Sequence, residues 1–206
     1  MKLLKFLRRL LLKVVRYLQS RLLWLVGLGP PSFALKIPTH LTDKEKIVLF
    51  QTVLRLRREC IALEVGSYLG ASASIFGVAV SRRKGELHCI DTWQNQAMDE
   101  PERDTWPEFA TNTRRLGGVI FPHRGFSVEV AQNLRLTLDF LFLDGDHSEE
   151  AVDADLSAWL PKLKAGGVVA LHDIGWAEGV RKGYEKHLKG HTVWEKWLPN
   201  LLICQL

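Results

Sequence analysis

The order of short apolar runs and helical segments predicts an α/β fold, a mostly parallel sheet with helices on both faces. Three observations support this. Apolar runs of strand length recur between residues 60 and 171, helical segments separate them, and four of the runs end in an acid or a His-Asp pair.

Residues 1–29 carry seven basic residues and no acid, leaving 21 basic and 23 acidic residues in the remainder of a chain whose net charge is +5. The basicity therefore belongs to the leader, and the body has no electrostatic reason to bind nucleic acid. Lys2, Lys5, Arg9, Lys13 and Arg16 share one stripe of a helix whose other positions are mainly apolar. Such a helix suits an anionic membrane surface through residues 1–26, or packing against another helix or subunit. Its charges interrupt the apolar run too often for a membrane span, and no small-residue cleavage site follows. Gly27, Gly29, Pro30, Pro31 and Pro38 then mark residues 30–41 as a linker. Residues 42–206 are read as one domain.

Thr42 followed by Glu45 is a capping box and predicts a helix to about Glu59. Cys60–Val65 predicts a first strand buried on both faces, Gly66–Gly70 a turn, and Ala71–Val80 a small-residue helix. Strands are expected at Glu86–Ile90, Val119–Phe121, Leu138–Leu143 and Val168–Leu171, with helices near 106–116, 127–136 and 148–160. A helix near Glu178–Leu188 and two terminal strands, Thr192–Trp197 and Leu201–Leu206, complete the chain, the last entering antiparallel. Trp194, Trp197 and Pro199 form an apolar edge suited to a homodimer or to packing on the leader. Three widely spaced cysteines, Cys60, Cys89 and Cys204, argue against a disulfide scaffold and for a reducing, cytoplasmic setting.

Ligands of open α/β sheets bind at the carboxyl ends of the strands, which selects Glu64, Asp91, Asp144 and His172-Asp173. The turn after the first strand is not G-x-G-x-x-G, because Tyr68 stands where a second early glycine would be, and this weakens a nicotinamide reading. Asp91, at the next strand end, can accept both hydroxyls of a ribose. Asp144-Gly145-Asp146-His147-Ser148 delivers acids and an imidazole to one edge. Asp144 can coordinate a hard cation and His147 can take a proton near neutral pH, while Asp146 or Ser148 can cap the next helix. Asp173, with His172, can complete an O/N metal shell.

The run Glu64-x-Gly66-x-x-x-Gly70-x-Ser72, the segment Asp144–Ser148 and Gly166-Gly167-x-x-x-x-His172-Asp173 together resemble class I S-adenosylmethionine-dependent methyltransferases. More narrowly they resemble the small catechol-type and the sugar or natural-product O-methyltransferases, over roughly residues 45–190. The resemblance implies a Rossmann-like, seven-stranded sheet with one reversed terminal strand. It places Glu64, Gly66 and Ser67 at the methionine end of the cofactor, Gly70 and Ser72 at the helix beside it, Asp91 at the ribose and Trp93 near the adenine. Asp144, Asp173 and His172 fall at metal-binding positions for Mg2+ or another divalent cation, and His147 falls where catechol-type enzymes carry a catalytic lysine. His172 is the competing candidate for the base. Phe126 makes the adenine side more apolar, and residues 92–112, rich in aromatic and polar groups, read as a lid over the acceptor. The expected acceptor is a small-molecule, sugar or lipid-linked hydroxyl. The rival functions are a nicotinamide-dependent oxidoreductase, a hydroxylase-like relative and a non-catalytic, membrane-attached binding protein.

Overall fold

The structure, a computed structural model, describes residues 29–95 and 100–206. Seven strands form one sheet: β1 (Ile61–Val65), β2 (Glu86–Asp91), β3 (Ile120–Arg124), β4 (Leu138–Leu143), β5 (Leu163–His172), β6 (Trp194–Leu198) and β7 (Leu201–Gln205), in the order β3-β2-β1-β4-β5-β7-β6. The neighbours from β3 to β5 pair in parallel, and β7 runs antiparallel to both β5 and β6. The reversed terminal strand is thus β7, as expected.

Helices α1 (Asp43–Leu54), α2 (Ala71–Arg82) and α3 (Trp106–Thr113) bury Phe50, Phe76 and Phe109 against one face of the sheet. On the other face α4 (Ser127–Asn133), α5 (Glu149–Trp159) and α6 (Glu178–His187) bury Ala131, Leu156 and Val180. Because both faces are covered, the inner strands read as unbroken apolar runs, and all six residues of β4 are buried.

The capping box forms: Thr42 Oγ1 accepts from the Glu45 amide (3.3 Å) and Glu45 Oε2 accepts from the Thr42 amide (2.7 Å). The helix ends at Leu54, short of the expected Glu59, because the chain must turn to enter β1. Glu59 takes a left-handed φ of 58° and Arg57 reaches Asp139 at 2.6 Å. Asp139 also accepts from the Ile61 amide and from Lys164, each at 2.9 Å, and so ties the starts of β1, β4 and β5 together.

Two strands are longer than the sequence suggests. β3 extends through Pro122, which the sheet tolerates because β3 lies at its edge. β5 begins at Leu163 and crosses a register shift near Gly166-Gly167, glycines that read locally as a turn. The supposed linker is docked on the domain: Ala34 and Leu41 lie in the core, and Ile37 packs with Leu69 and Ala71. The aromatic part of the supposed lid is core as well, with Trp93 fully buried against Trp106 (4.8 Å between ring centroids) and Phe109 (4.7 Å). Trp194 and Trp197 stand exposed on β6 at the sheet edge. All three cysteines are free and buried, and no helix among the described residues is long and apolar enough to cross a membrane. The basic leader lies outside the described residues.

Candidate active site

The loops leaving the carboxyl ends of β1 to β5 surround one cleft of about 720 Å³. On one side is the turn between β1 and α2. Gly66 sits at φ 85°, and a Cβ there would stand 2.1 Å from the carbonyl oxygen of Asp144, so only glycine lets the β1 and β4 loops meet. Asp91 organises the turn: Oδ2 accepts from the amides of Ser67 and Tyr68 (2.8 Å each), and Oδ1 accepts from the amide of Trp93 (2.6 Å). Glu64 lies fully buried beneath, where Oε2 accepts from the Ser67 hydroxyl (2.8 Å) and Oε1 has no partner. Burial pushes its carboxyl up to about 7, against hydrogen bonds that favour the ionised form. An unpaired buried carboxylate oxygen under the glycine turn fits a cationic ligand group.

Further along this side are Thr92, Gly125, Phe126, Ser127 and Asp155. Phe126 is 60% exposed, and burial pushes Asp155 up to about 6.

The opposite side gathers the ionisable groups. His147 Nε2 lies 2.8 Å from Asp173 Oδ2, an ion-pair contact without the alignment of a good hydrogen bond. His172 Nδ1 lies 2.8 Å from Asp144 Oδ1 and 3.2 Å from Asp173 Oδ2. Behind it Nε2 stands 3.9 Å from Glu45 of the capping box. The other oxygen of Asp173 accepts from the indole of Trp176 (2.7 Å) and the amide of Asn200 (2.5 Å). Asp173 itself holds φ 59°, a conformation that its surroundings must enforce.

These contacts fix the proton affinities. Burial opposes charge on His172, but the two flanking aspartates outweigh it and push its pKa up to about 10. Asp173 is held far below the usual carboxylate range despite its burial, by His147 and His172. Asp173 also raises His147 above its ordinary value, against the effect of burial. Asp144, His147 and Asp173 each offer a ligand atom, all within 4.8 Å of one another. Two carboxylate oxygens and one imidazole nitrogen at that spacing fit a divalent cation that keeps water or substrate oxygens as its remaining ligands.

A methyltransferase-domain family model matches residues 63–174, the stretch that supplies both sides of this cleft. The chain belongs to that family. Its relatives among solved structures share the fold. The O-methyltransferase from Bacillus cereus superposes with a TM-score of 0.66 at 14% identity, covering 91% of this chain and 96% of that one. TomG of Streptomyces achromogenes, an O-methyltransferase of tomaymycin synthesis seen with S-adenosylmethionine, gives 0.63 at 16% identity, covering 81% and 80%. The uncharacterized protein y4gI of Sinorhizobium fredii is 28% identical over 148 residues, 70% of this chain, which spans about 15% of that protein's length. The chain is a methyltransferase-domain protein with the seven-stranded, mostly parallel sheet of that fold, and the nicotinamide alternative gives way.

Within the methyltransferase, Gly66, Ser67, Ser72, Asp91, Asp144, His147 and Asp173 line the cleft. Glu64 lies under its floor, and Gly70 faces Phe109 and Thr113 instead. Trp93 does not line it, contrary to the adenine role expected, because the aromatic cluster of α3 holds it in the core. His172, at 1% exposure, does not line it either. It braces the two aspartates from behind, and His147 takes its place beside them in the group that could hold a cation. Asp146 and Ser148 serve the turn into α5: Asp146 accepts from the Ser148 amide (2.7 Å) and Ser148 from the Ala151 amide (3.4 Å). The sequence reading missed Pro38–His40, Asp155, Trp176 and Asn200 as lining residues. Only Asp155, a lone acid on the buried side of an amphipathic helix, carried a local signal.

Proposed function

We propose that this methyltransferase methylates a hydroxyl oxygen of a small-molecule acceptor, and that His147, paired with Asp173, receives the hydroxyl proton. The observation that carries this reading is the placement of His147 and Asp173 in the cleft, 2.8 Å apart, beside Asp144.

S-adenosylmethionine supplies the activated methyl group. The glycine turn, Glu64 and Asp91 would hold it: the unpaired, buried Glu64 carboxylate oxygen would favour its ammonium and Asp91 its ribose hydroxyls. His147 takes the proton as the acceptor oxygen becomes nucleophilic, and Asp173 steadies the resulting imidazolium. His172 and Asn200 hold the aspartates in place, so that alignment of the two reactants is the protein's main contribution. In place of that proton transfer, Asp144, His147 and Asp173 would together hold a divalent cation, which would supply positive charge that favours the ionised hydroxyl. The leader adds contact with an anionic membrane surface, a reading supported by its seven basic residues.

Calorimetric titration with S-adenosylmethionine, with and without Mg2+ or Mn2+ after chelation, tests the cofactor and the cation. Methyl transfer to a panel of alcohols, phenols and amines then tests the acceptor atom. Methylation of amines in preference to hydroxyls would overturn the reading.

A further inference from the structure

Trp176 is the largest exposed side chain beside the reacting groups, at 61% exposure, yet its loop is rigidly held. Its indole nitrogen donates to Asp173, and the ring meets His147 edge-on with centroids 5.1 Å apart. The Gly175 amide donates to Asn200 Oδ1 (3.3 Å), and a Cβ on Gly175 would stand 2.1 Å from the Pro199 carbonyl oxygen. Arg181 donates to the carbonyls of Ile174 (3.1 Å) and Gly175 (3.0 Å), and Ile174 is buried. A large ring kept in water by so many fixed contacts is preorganised for a ligand.

Charge narrows the ligand. The described residues lining the cleft include the carboxylates of Asp91, Glu100, Asp144, Asp146, Asp155 and Asp173, and no lysine or arginine. Residues 96–99, between two lining positions, are also free of basic groups. On flanking segments Arg103 is paired with Glu108, Arg124 with Asp104 and Lys182 with Glu149. A phosphate entering this cleft would be stripped of water, face carboxylates and, among the described lining residues, find no lysine or arginine. Thr39, His40, Asn95 and Thr105 offer hydroxyl, imidazole and amide groups along the wall.

We infer that the acceptor is an uncharged polyhydroxylated ring, a neutral glycoside, lying with its C–H face on Trp176. The carboxylate-lined wall disfavours nucleotide sugars and coenzyme A thioesters. This rests on the methyl-transfer reading of the same cleft and adds to it the acceptor's class and its platform.

Saturation-transfer NMR on the full chain with S-adenosylhomocysteine bound tests it, using methyl glycosides, UDP-glucose, coenzyme A and catechol as probes. Methyl glycosides should receive saturation along one ring face. Trp176→Ala should weaken their binding about tenfold, and Trp176→Phe, which keeps a ring but not the indole N–H, should restore most of it. Equal or stronger binding of UDP-glucose, coenzyme A or catechol would overturn the inference. So would glycoside binding that ignores Trp176→Ala, or no glycoside binding by protein that holds the cofactor product. Failure to bind S-adenosylhomocysteine at all would instead remove the methyl-transfer reading beneath it.

Discussion

The two sides of the cleft are built by different means. The side proposed for the cofactor is made from residues close in sequence at the ends of β1 and β2, where Asp91 gathers three backbone amides and Gly66 lets two loops touch. The side proposed for the acceptor is assembled from side chains far apart in the sequence: Thr39 and His40 before α1, His147 after β4, Trp176 after β5 and Asn200 between β6 and β7. The first depends on backbone geometry that few substitutions respect. The second rests on side chains whose replacement leaves the sheet intact, so specificity can change there without loss of the fold.

The largest expected effect separates the cofactor side from the core beneath it. Trp93 follows Asp91 by two residues, yet it is buried with Trp106 and Phe109. Trp93→Ala should cost about 3–5 kcal/mol of stability in chemical denaturation, as large aromatic deletions do. The folded fraction should bind S-adenosylmethionine within about twofold of the parent, since packing and ligand contact are separate here. A variant of normal stability with cofactor affinity lost would return Trp93 to the adenine.

Trp93 also shows what was legible in the sequence. The strands and the acids at their ends could be read because each depends on local pattern: apolar runs buried on both faces, and polar groups where those runs stop. β4, Leu138–Leu143, matches its expected bounds for that reason. Whether an aromatic residue two positions past a strand faces the ligand or the core depends on α3, which packs from elsewhere. Asn200 was invisible for the same reason, since it meets Asp173 only through the pairing of β5 with β7. His172 looked like a ligand because strand-end histidines can be one. It proved a brace because Asp144 and Asp173 both reach its Nδ1.

On the acceptor side, His147→Gln should lower kcat by about 10²- to 10³-fold, the range for a lost general base, with cofactor affinity within about twofold of the parent. Asp173→Asn should lower kcat as well, and should also move the pH profile, because Asp173 raises the His147 pKa. His147 must be unprotonated to accept the proton, so the parent gains rate as pH rises through a value above 6.5, and the variant's rise should shift to lower pH. A full-rate His147→Gln enzyme would remove His147 from the proton transfer.

Glu64 gives a smaller effect confined to the cofactor side. Its folded pKa of about 7 lies above the ordinary 4.5, so between those values the folded state holds a proton that the unfolded state lacks. The stability from that proton is complete below the unfolded value and is lost as pH rises through the folded one. Glu64→Gln has nothing to titrate. Melting temperatures measured from pH 5 to about pH 8 should therefore move in the variant's favour as pH rises. A parallel pair of curves would mean that Glu64 is already paired in the free protein.

Phe126 gives the smallest effect and tests whether the two sides are as different as they look. It lies on the cofactor side, at the entry to α4, but it is exposed like Trp176 and lines the same cleft. Its neighbours there, Ser127 and Asp155, offer hydrogen-bonding groups to an adenine edge, which leaves the phenyl ring to cover a face. Stacking of that kind contributes about 1 kcal/mol, so Phe126→Ser should weaken S-adenosylmethionine binding about fivefold in a calorimetric titration. Acceptor KM at saturating cofactor should stay put. If KM rises while cofactor affinity holds, the acceptor reaches across to Phe126, and the side-chain-built part of the cleft is larger than the loops suggest.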